Sequence, residues 1–391
     1  MPVGMQYLAF LGLTLGSVVI LARRQAISEP ARHPWTLWWS ALWAWLLLSA
    51  LWSSGPWRDQ LTAMWSYTLP LALAPLAMAC GREHAWRALG HFTAASAAVA
   101  TLYLVTLGGS YGTWPTWRPI VDITGNQRVA VSLLLALGDA LAALLAWRAT
   151  SRAARLAWLG ACALILAGLV LQDRRTGMLV APLLLAALVL LRQQGGKRRL
   201  AMLTAVMALA AGGWWGLPQV QQRFDEGLRE LQEHQLDGRS TTSWSMRATL
   251  AEETWQMLRE RPLAGHGVGS WATHWRLRMH DAEPLLQGHS TPHSEVLLLG
   301  MQGGSIALLL AAGAIASAWR EGRRRGPEGH ALLLVLLTLC AAGWISAVLR
   351  DTRFALPLLL LTGLAWAASS GPRKAAEADA SQASARASAE R

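Results

Sequence analysis

A histidine directly before an apolar segment is the first candidate for acid–base chemistry. His293 stands in the stretch QGHSTPHSE at 287–295, which leads into the apolar run 296–304. Ser290 or Thr291 is a suitable N-cap and Pro292 fits a first helical turn, so His293 is predicted at a helix N-terminus. The positive end of the helix dipole disfavours imidazolium. A neutral imidazole that accepts a proton near pH 7 is therefore expected, as a general base requires. A histidine satisfied by local hydrogen bonds is the alternative.

An arginine is predicted in the first turn of a helix between the apolar segments. The apolar residues of 243–258 recur at helical spacing, and Arg247 falls near the beginning of that stretch. The dipole at a helix start favours an anion over a cation. An anionic ligand, most often phosphate, would remove the conflict. A solvated arginine, or one paired with a glutamate, is the alternative.

Two short turns between apolar segments each carry two cations and one anion. They are QDRRT at 172–176 and RDTR at 350–353. Ionisable groups at a membrane boundary are costly and usually mark a function or a buried pair. Asp173 could pair with Arg174, and Asp351 with Arg350 or Arg353. One positive charge in each turn would then remain to bind an anion.

A metal site is a weaker interpretation of the same region. His280, Asp281, Glu283, His289 and His293 are close in sequence. However, a proline separates the last two histidines at the predicted helix start, so one helical face is not expected to present both. The chain has no HExxH, CxxC, P-loop or paired-acid nucleotide-sugar motif. The sequence therefore favours chemistry without a metal, and it implies no cofactor.

Composition places these residues in a membrane protein. Of 391 residues, 53% are hydrophobic and 15% charged, and the mean hydropathy is +0.29. The net charge of +12 comes from basic residues between apolar blocks. The sequence has no basic face with interleaved aromatic residues, the pattern that would indicate binding to nucleic acid. Anionic lipid or phosphate is the expected partner of these charges. Many of the 22 tryptophans flank the blocks, as in an aromatic belt.

The apolar blocks predict an all-α polytopic protein, because each is close to the roughly 20 residues that span a bilayer. We count eleven candidate spans, with an uncertainty of one: 4–22, 35–52, 60–80, 88–108, 127–147, 154–172, 176–192, 199–216, 292–319, 331–349 and 353–370. This divides the chain into N-terminal spans (1–216), one large, partly helical loop (217–291), C-terminal spans (292–370) and a disordered tail (371–391).

Charge asymmetry predicts the orientation. The basic loops on one side contain Arg23, Arg24, Arg32, Arg82, Arg87, Arg148, Arg152, Arg155, Arg192, Lys197, Arg198, Arg199, Arg320, Arg323, Arg324 and Arg325. The positive-inside rule makes that side, and the tail, cytoplasmic. The periplasmic side then receives the 217–291 loop together with Arg58, Arg118, Arg128, Arg174, Arg175, Arg350 and Arg353.

These pieces together resemble the O-antigen ligase and O-antigen polymerase superfamily over residues 110–305. The carrying motifs are the turn Arg174-Arg175-Thr176-Gly177, in which Arg175 aligns best, and the helix start from Ser243 to Arg247. They are followed by PLAGHGVG at 262–269 and by Pro292-His293-Ser294 with its Leu/Gly-rich continuation. The start of the span at Gly125-Asn126-Gln127 is also similar. Members of the superfamily commonly have twelve spans.

The resemblance implies a GT-C-like glycosyltransferase of the bacterial inner membrane with its active site on the periplasmic side. Its donor would be a glycan on undecaprenyl diphosphate, and its acceptor lipid A–core. Arg175 and Arg247 would hold the diphosphate, and His293 would take the proton of the acceptor hydroxyl in an inverting displacement. Further candidates for substrate binding are Arg118, Arg128, Arg174, His289, Arg350 and Arg353.

Other functions remain open at this point. An O-antigen polymerase or a protein O-oligosaccharyltransferase would use the same residues. A lipid-linked glycan flippase belongs to a different class, and it would need charges deep within the spans or broken helices in paired halves. The single large loop favours the ligase.

Overall fold

The computed structural model describes residues 3–107, 126–172, 174–192, 195–216, 218–237, 242–282 and 284–370. Within these ranges every regular element is helical, which confirms the all-α prediction. Short 3-10 turns join some of the α-helices. The α-helices are α1 (Val3–Arg23), α2 (Pro34–Ser49), α3 (Trp57–Thr68), α4 (Leu73–Ala79), α5 (Arg82–Leu107), α6 (Asn126–Arg148), α7 (Arg152–Gln172), α8 (Arg175–Arg192), α9 (Gly196–Gly216), α10 (Pro218–Asp237), α11 (Ser243–Glu260), α12 (Trp271–Arg278), α13 (Pro284–Gln287), α14 (Glu295–Arg324), α15 (His330–Ile345) and α16 (Thr352–Ser369).

The described residues contain nine helices long and apolar enough to cross a membrane, with α3 and α4 joined as one. The two other predicted spans are helical as well. Helix α2 has 16 residues and continues in a 3-10 turn, and α9 begins with Gly-Lys-Arg-Arg. The chain is thus a polytopic membrane protein whose helices agree closely with the predicted segments.

The ends of the spanning helices form two opposite faces of the molecule. At one face Glu328 contacts Arg82 and Arg148, at the boundaries of α5 and α6. At the other, the Ser53 hydroxyl donates to the carbonyl of Val268 at 2.7 Å. Helix α8 runs from one face to the other, and its 18 residues extend about 27 Å at 1.5 Å each. We call the first the Glu328 face. The second, at which α14 begins just after His293, is called the His293 face.

The segment 218–291 folds onto the His293 face and has a small apolar core. Trp271 and Trp275 stack with ring centroids 5.3 Å apart. Their indole N–H groups donate to Thr254 Oγ1 and to the carbonyl of Leu286, at 2.9 and 2.8 Å. Leu298 of α14 belongs to the same cluster. The loop segment and the spans therefore share buried apolar surface.

Helix α14 is broken at Gly304, where φ is 68° and ψ is −166°. Backbone from the stretch 262–269 satisfies the groups that the break frees. The N–H groups of His266 and Gly267 donate to the carbonyls of Met301 and Gln302 at 2.8 and 2.9 Å, and the Ser305 N–H donates to the Pro262 carbonyl at 2.8 Å. Irregular backbone in a membrane span is tolerated where protein buries and satisfies it in this way.

Close approach explains the glycines of this stretch. Gly265 has φ +67°, and a Cβ there would lie 2.6 Å from the Gln302 backbone. Only glycine adopts this conformation without strain and leaves room for the neighbouring backbone. The glycine-rich stretch 262–269 therefore packs its backbone against the broken span α14.

The start of α14 corrects one sequence expectation. The predicted caps were Ser290 or Thr291, but the helix begins at Glu295 and its N-cap is Ser294, whose hydroxyl accepts the Leu297 N–H. His293 consequently lies just outside the helix. It stays at the end of the span, but it is not within the first turn.

Candidate active site

Arg175 begins α8 at the His293 face and is surrounded by residues of the loop segment. Its guanidinium lies 3.6 Å from Glu226 and 3.6 Å from Glu230, both on α10. It also lies over the Trp244 ring at 5.1 Å from the centroid. Charge-assisted hydrogen bonds are usually 2.7–2.9 Å long. Both ion pairs are therefore loose contacts, and the cation retains capacity for an anion.

Tight helix packing fixes the position of Arg175. Gly177, in the first turn of α8, lies so near Ser132 that a Cβ would be 2.8 Å from the serine Cβ. Gln172, the last residue of α7 before the turn into α8, donates to the Tyr103 hydroxyl at 3.3 Å and to the Arg128 carbonyl at 3.2 Å. Gly227 leaves space for the guanidinium, because a Cβ there would lie 3.0 Å from Arg175 Nη1.

The start of α11 is occupied by an anion, as the helix dipole favours, and this anion is the side chain of Glu230. Glu230 accepts the backbone N–H of Trp244 at 2.8 Å, and the N-cap residue of α11, Thr242, makes no side-chain cap hydrogen bond. His234 joins the same two helices, because its ring lies 3.0 Å from Ser245 Oγ and 3.3 Å from Glu252. Two residues of α10 thus hold α11 against the site.

Arg247 lies one turn into α11, within electrostatic range of Arg175 and of Arg174 in the turn before α8. Burial lowers its pKa most, the charges of Arg175 and Arg174 lower it further, and Glu230 raises it. Three guanidinium groups are thus within electrostatic range, with Glu226 and Glu230 beside them. Partly buried like charges are unfavourable together unless an anion compensates them. The cluster is an attractive position for a polyanion.

His293 lies within range of this cluster in an unusual backbone conformation. Its φ is 52°, a left-handed conformation that costs a non-glycine residue about 1 to 2 kcal/mol. Burial first, then the charges of Arg247 and His289, lower the pKa of His293 to about 4. The imidazole is therefore neutral near pH 7 and able to accept a proton. The predicted neutral form has a different cause, because desolvation and arginine charge produce it.

His289 contacts His293 edge to face. The ring centroids lie 5.3 Å apart with an interplanar angle of 77°, and His289 Nε2 lies 2.8 Å from the Met246 sulfur. Burial lowers the pKa of His289 as well. Met246 precedes Arg247 in α11, so this contact connects the two histidines with the arginine helix.

The α14 start is held by a buried carboxylate. Glu295 accepts hydrogen bonds from the Tyr67 hydroxyl and from the Leu349 N–H, each at 2.9 Å. Its own N–H donates to the Ser346 carbonyl at 3.0 Å. Arg350 lies within electrostatic range of this carboxylate. Glu295 therefore connects the residues next to His293 with α3 and with the 346–351 turn.

Residues 160–312, which include Arg175, Arg247 and His293, match the O-antigen ligase family. The match covers 153 of the 391 residues, and it supports a relationship of this part of the chain to the O-antigen ligase superfamily. A search of curated proteins finds no significant match. The matched part of the chain runs from within α7 into α14, so it contains the arginine helix starts, the glycine-rich stretch and the broken span.

The remaining predicted site residues lie on several elements. Arg174 and Arg128 lie at the same end of the spans, in the turn before α8 and in the first turn of α6. Arg350 lies beside Glu295. Arg353 joins its turn through the backbone, donating its N–H to Asp351 at 3.1 Å, so Asp351 acts as the N-cap of α16. Arg118 and Asp173 lie outside the described residues, as does Gly125.

The proposed histidine-acid cluster does not gather into one group. His280 is exposed and lies 3.9 Å from Asp281, apart from the His289–His293 pair, and Glu283 lies outside the described residues. In the described ranges no three His, Cys, Asp or Glu side chains come together as metal ligands.

Sequence reasoning missed Glu226, Glu230 and Glu295. The first two stand four residues apart on an amphipathic helix, which is the spacing of one helix face. That spacing in the sequence indicated two carboxylates on one face of the helix. Glu295, a carboxylate at the first position of an apolar span, was a further signal.

Proposed function

We propose that this protein is an O-antigen ligase. It transfers a glycan from undecaprenyl diphosphate to a sugar of lipid A–core on the periplasmic face of the inner membrane. One observation carries the proposal: the partly buried imidazole of His293 lies within electrostatic range of Arg247, whose neighbours are Arg175 and Arg174. Transfer from a diphosphate needs both parts, a base for the acceptor and cations for the leaving group.

Arg175 and Arg247 hold the donor diphosphate in this proposal. Guanidinium presents several donors in a plane that match phosphate oxygens in pairs. Positive charge at that position stabilises the negative charge that grows on the leaving phosphate. The contacts of Arg175 with Glu226 and Glu230 are 3.6 Å long, so a phosphate can replace them at small cost.

His293 acts as general base. The acceptor hydroxyl loses its proton to the imidazole while its oxygen attacks the anomeric carbon. The bond from that carbon to the phosphate oxygen breaks, and undecaprenyl diphosphate leaves with the bonding electrons. Attack opposite the leaving group inverts the anomeric configuration. Burial and the charge of Arg247 lower the pKa of His293. The bound diphosphate offsets the arginine charge, so the imidazole gains basicity once the donor is present.

The test is glycan transfer by purified protein in proteoliposomes that contain lipid-linked glycan and lipid A–core. His293→Asn should abolish transfer while donor binding persists, and His280→Asn is its control because His280 is an exposed histidine of the same segment. Arg247→Gln should weaken donor binding, whereas Arg259→Gln, on the exposed end of α11, should not. Full transfer by His293→Asn would overturn the assignment of the base.

The acceptor decides between the ligase and its relatives. Reactions offered a second lipid-linked glycan or a peptide test an O-antigen polymerase and a protein O-oligosaccharyltransferase. Exclusive use of either would replace the ligase assignment and leave the cation and base roles in place. A chelator added to the same assay tests the metal-free mechanism, for which we expect no loss of transfer.

A further inference from the structure

A second group of cations lies at the Glu328 face, on the opposite ends of the helices that form the candidate site. We call it the basic cluster, and it consists of Arg82, Arg148, Arg192, Arg323 and His330. Arg82 begins the span of α5, whereas Arg148 and Arg192 end those of α6 and α8. Arg323 and His330 lie at the junction of α14 and α15. Each member therefore lies at the boundary of a span, the level of lipid headgroups.

Too few carboxylates lie beside the basic cluster to neutralise it. Glu328 contacts both Arg82 and Arg148, at 2.8 and 2.9 Å. Arg192 donates to the Trp147 carbonyl at 3.4 Å and lies 5.4 Å from the Trp147 ring centroid. It forms no ion pair within the part of the chain that the structure describes. The nearby Glu83 pairs with Arg87 instead, at 2.5 Å.

His330 adds a buried polar group with an unused ring nitrogen. Its side chain is 5% exposed, and its Nδ1 has no hydrogen-bond partner among the described residues. Arg148, Arg192, Arg323 and Glu328 lie within electrostatic range of this ring. A buried nitrogen without a partner is costly, so a ligand that supplies one would be stabilised here.

The adjoining groove combines charged side chains with an apolar wall formed by Trp86 and Leu145. A cavity of about 500 Å³ is lined by Arg82, Glu83, Trp86, Leu145 and Arg148. The Arg148 guanidinium lies 3.9 Å from the Trp86 ring centroid, and the Trp86 N–H donates to the Ala368 carbonyl at 3.1 Å. Guanidinium groups above an apolar, tryptophan-lined wall match a molecule with an anionic head and a hydrocarbon tail.

We propose that the basic cluster binds the phosphate headgroup of an anionic phospholipid, in the leaflet opposite the candidate active site. The phosphate lies between Arg148 and Arg192, and an acyl chain follows the Trp86–Leu145 wall. A basic pocket between spans at the bilayer boundary recognises lipid phosphate through such contacts. A free anion in solution would not need the apolar wall. The bound lipid offsets repulsion among the helix ends and connects α5, α6 and α8.

The test is lipid retention by the purified full chain, measured by native mass spectrometry with thermal unfolding in detergent. Cardiolipin or phosphatidylglycerol should remain bound and raise the unfolding temperature, whereas phosphatidylethanolamine and inorganic phosphate should do neither. In Arg148→Gln/Arg192→Gln the affinity for cardiolipin should fall at least tenfold. Arg155→Gln, which changes an exposed cation at the same face, should bind as the wild type does.

Arg192→Gln alone keeps the assay decisive if the double variant does not fold, because it leaves the Glu328 ion pairs intact. Its affinity for cardiolipin should still fall several-fold. Equal cardiolipin binding by the Arg192 variant and the wild type would overturn the proposal. Equal stabilisation by inorganic phosphate would overturn it too and would indicate a soluble anion site. Because glycan transfer is not measured, failure here leaves the proposed function untouched.

Discussion

The Glu230 carboxylate accepts the backbone N–H of Trp244 at 2.8 Å. The same carboxylate lies 3.6 Å from Arg175. Glu230 thus binds the start of α11 and also lies beside Arg175, the cation that binds the donor diphosphate in the proposed mechanism. Donor binding is then an exchange of one anion for another, and the charge of Glu230 opposes it.

Glu230→Gln should strengthen donor binding. The amide oxygen can still accept the Trp244 N–H, but the negative charge is removed. A partly exposed ion pair contributes up to about 1 kcal/mol, so the affinity should rise by about fivefold. Equilibrium binding of lipid-linked glycan at low salt measures this change. Glu233→Gln, an exposed carboxylate of the same helix, is the control. Weaker binding by the Glu230 variant would show that its charge positions Arg175.

Transfer should depend on pH through His293. Its pKa is lowered to about 4, so the base form is present above that pH and is lost below it. The value of kcat/KM should stay flat from neutral pH to about pH 5 and then decrease. Under saturating donor, kcat should show a higher apparent pKa, because the diphosphate stabilises imidazolium. Arg247→Gln should raise the apparent pKa in kcat/KM, and an unchanged profile would contradict the proximity of the two side chains.

The two substitutions His293→Asn and His293→Ala separate chemistry from backbone strain. Both should reduce transfer by about 100-fold or more, because the base is lost. Asparagine tolerates the left-handed conformation, whereas alanine does not. The asparagine variant should therefore unfold at a higher temperature than the alanine variant. Equal unfolding temperatures would argue against strain at this position.

Gly265→Ala should destabilise the protein. The added Cβ would lie 2.6 Å from the Gln302 backbone at a φ of +67°, and overpacking of this kind costs about 1–3 kcal/mol. Thermal unfolding in detergent measures the loss. Gly160→Ala is the matched control, because a Cβ there meets nothing within 4 Å. Equal stability of the two variants would show that the 262–269 stretch is not packed against α14.

Asp139→Asn tests whether the buried carboxyl group of α6 takes part in glycan transfer. Asp139 is fully buried in α6, where it accepts the Cys162 thiol at 2.9 Å, and it is the kind of buried acid that a transporter uses. An asparagine keeps the acceptor and removes the charge. We expect wild-type glycan transfer in proteoliposomes. Loss of transfer with normal folding would show that this carboxylate takes part in function.

The sequence predicted that Arg175, Arg247 and His293 would lie at one membrane face, because alternating spans bring every second helix end together. It could not predict the resident carboxylates. Glu226 and Glu230 approach Arg175 only because α10 folds back over the start of α8, and that docking depends on tertiary contacts such as Gly227 beside the guanidinium. The helix start was placed too early because several capping residues stand in succession, and only the Ser294 hydroxyl caps the helix.

The glycine-rich stretch shows a second limit of sequence reasoning. The stretch was one of the motifs that carried the resemblance, but the sequence did not indicate its structural partner, a span that breaks at Gly304 about 40 residues later. Nothing local connects the two. Gly265, with its positive φ, lies beside the Gln302 backbone. Gly267 and Gly269 instead approach the backbone of Ser53 and Gln60. The role of these glycines therefore became clear only in three dimensions.

The exchange of backbone hydrogen bonds between 262–269 and α14 constrains how this protein can be handled. A soluble fragment cut at the membrane boundary would lose the carbonyls of Met301 and Gln302 as acceptors and the Leu298 part of its apolar core. Such a fragment should be poorly folded in isolation. Biochemistry on the extramembrane region will therefore require the intact, lipid-embedded chain.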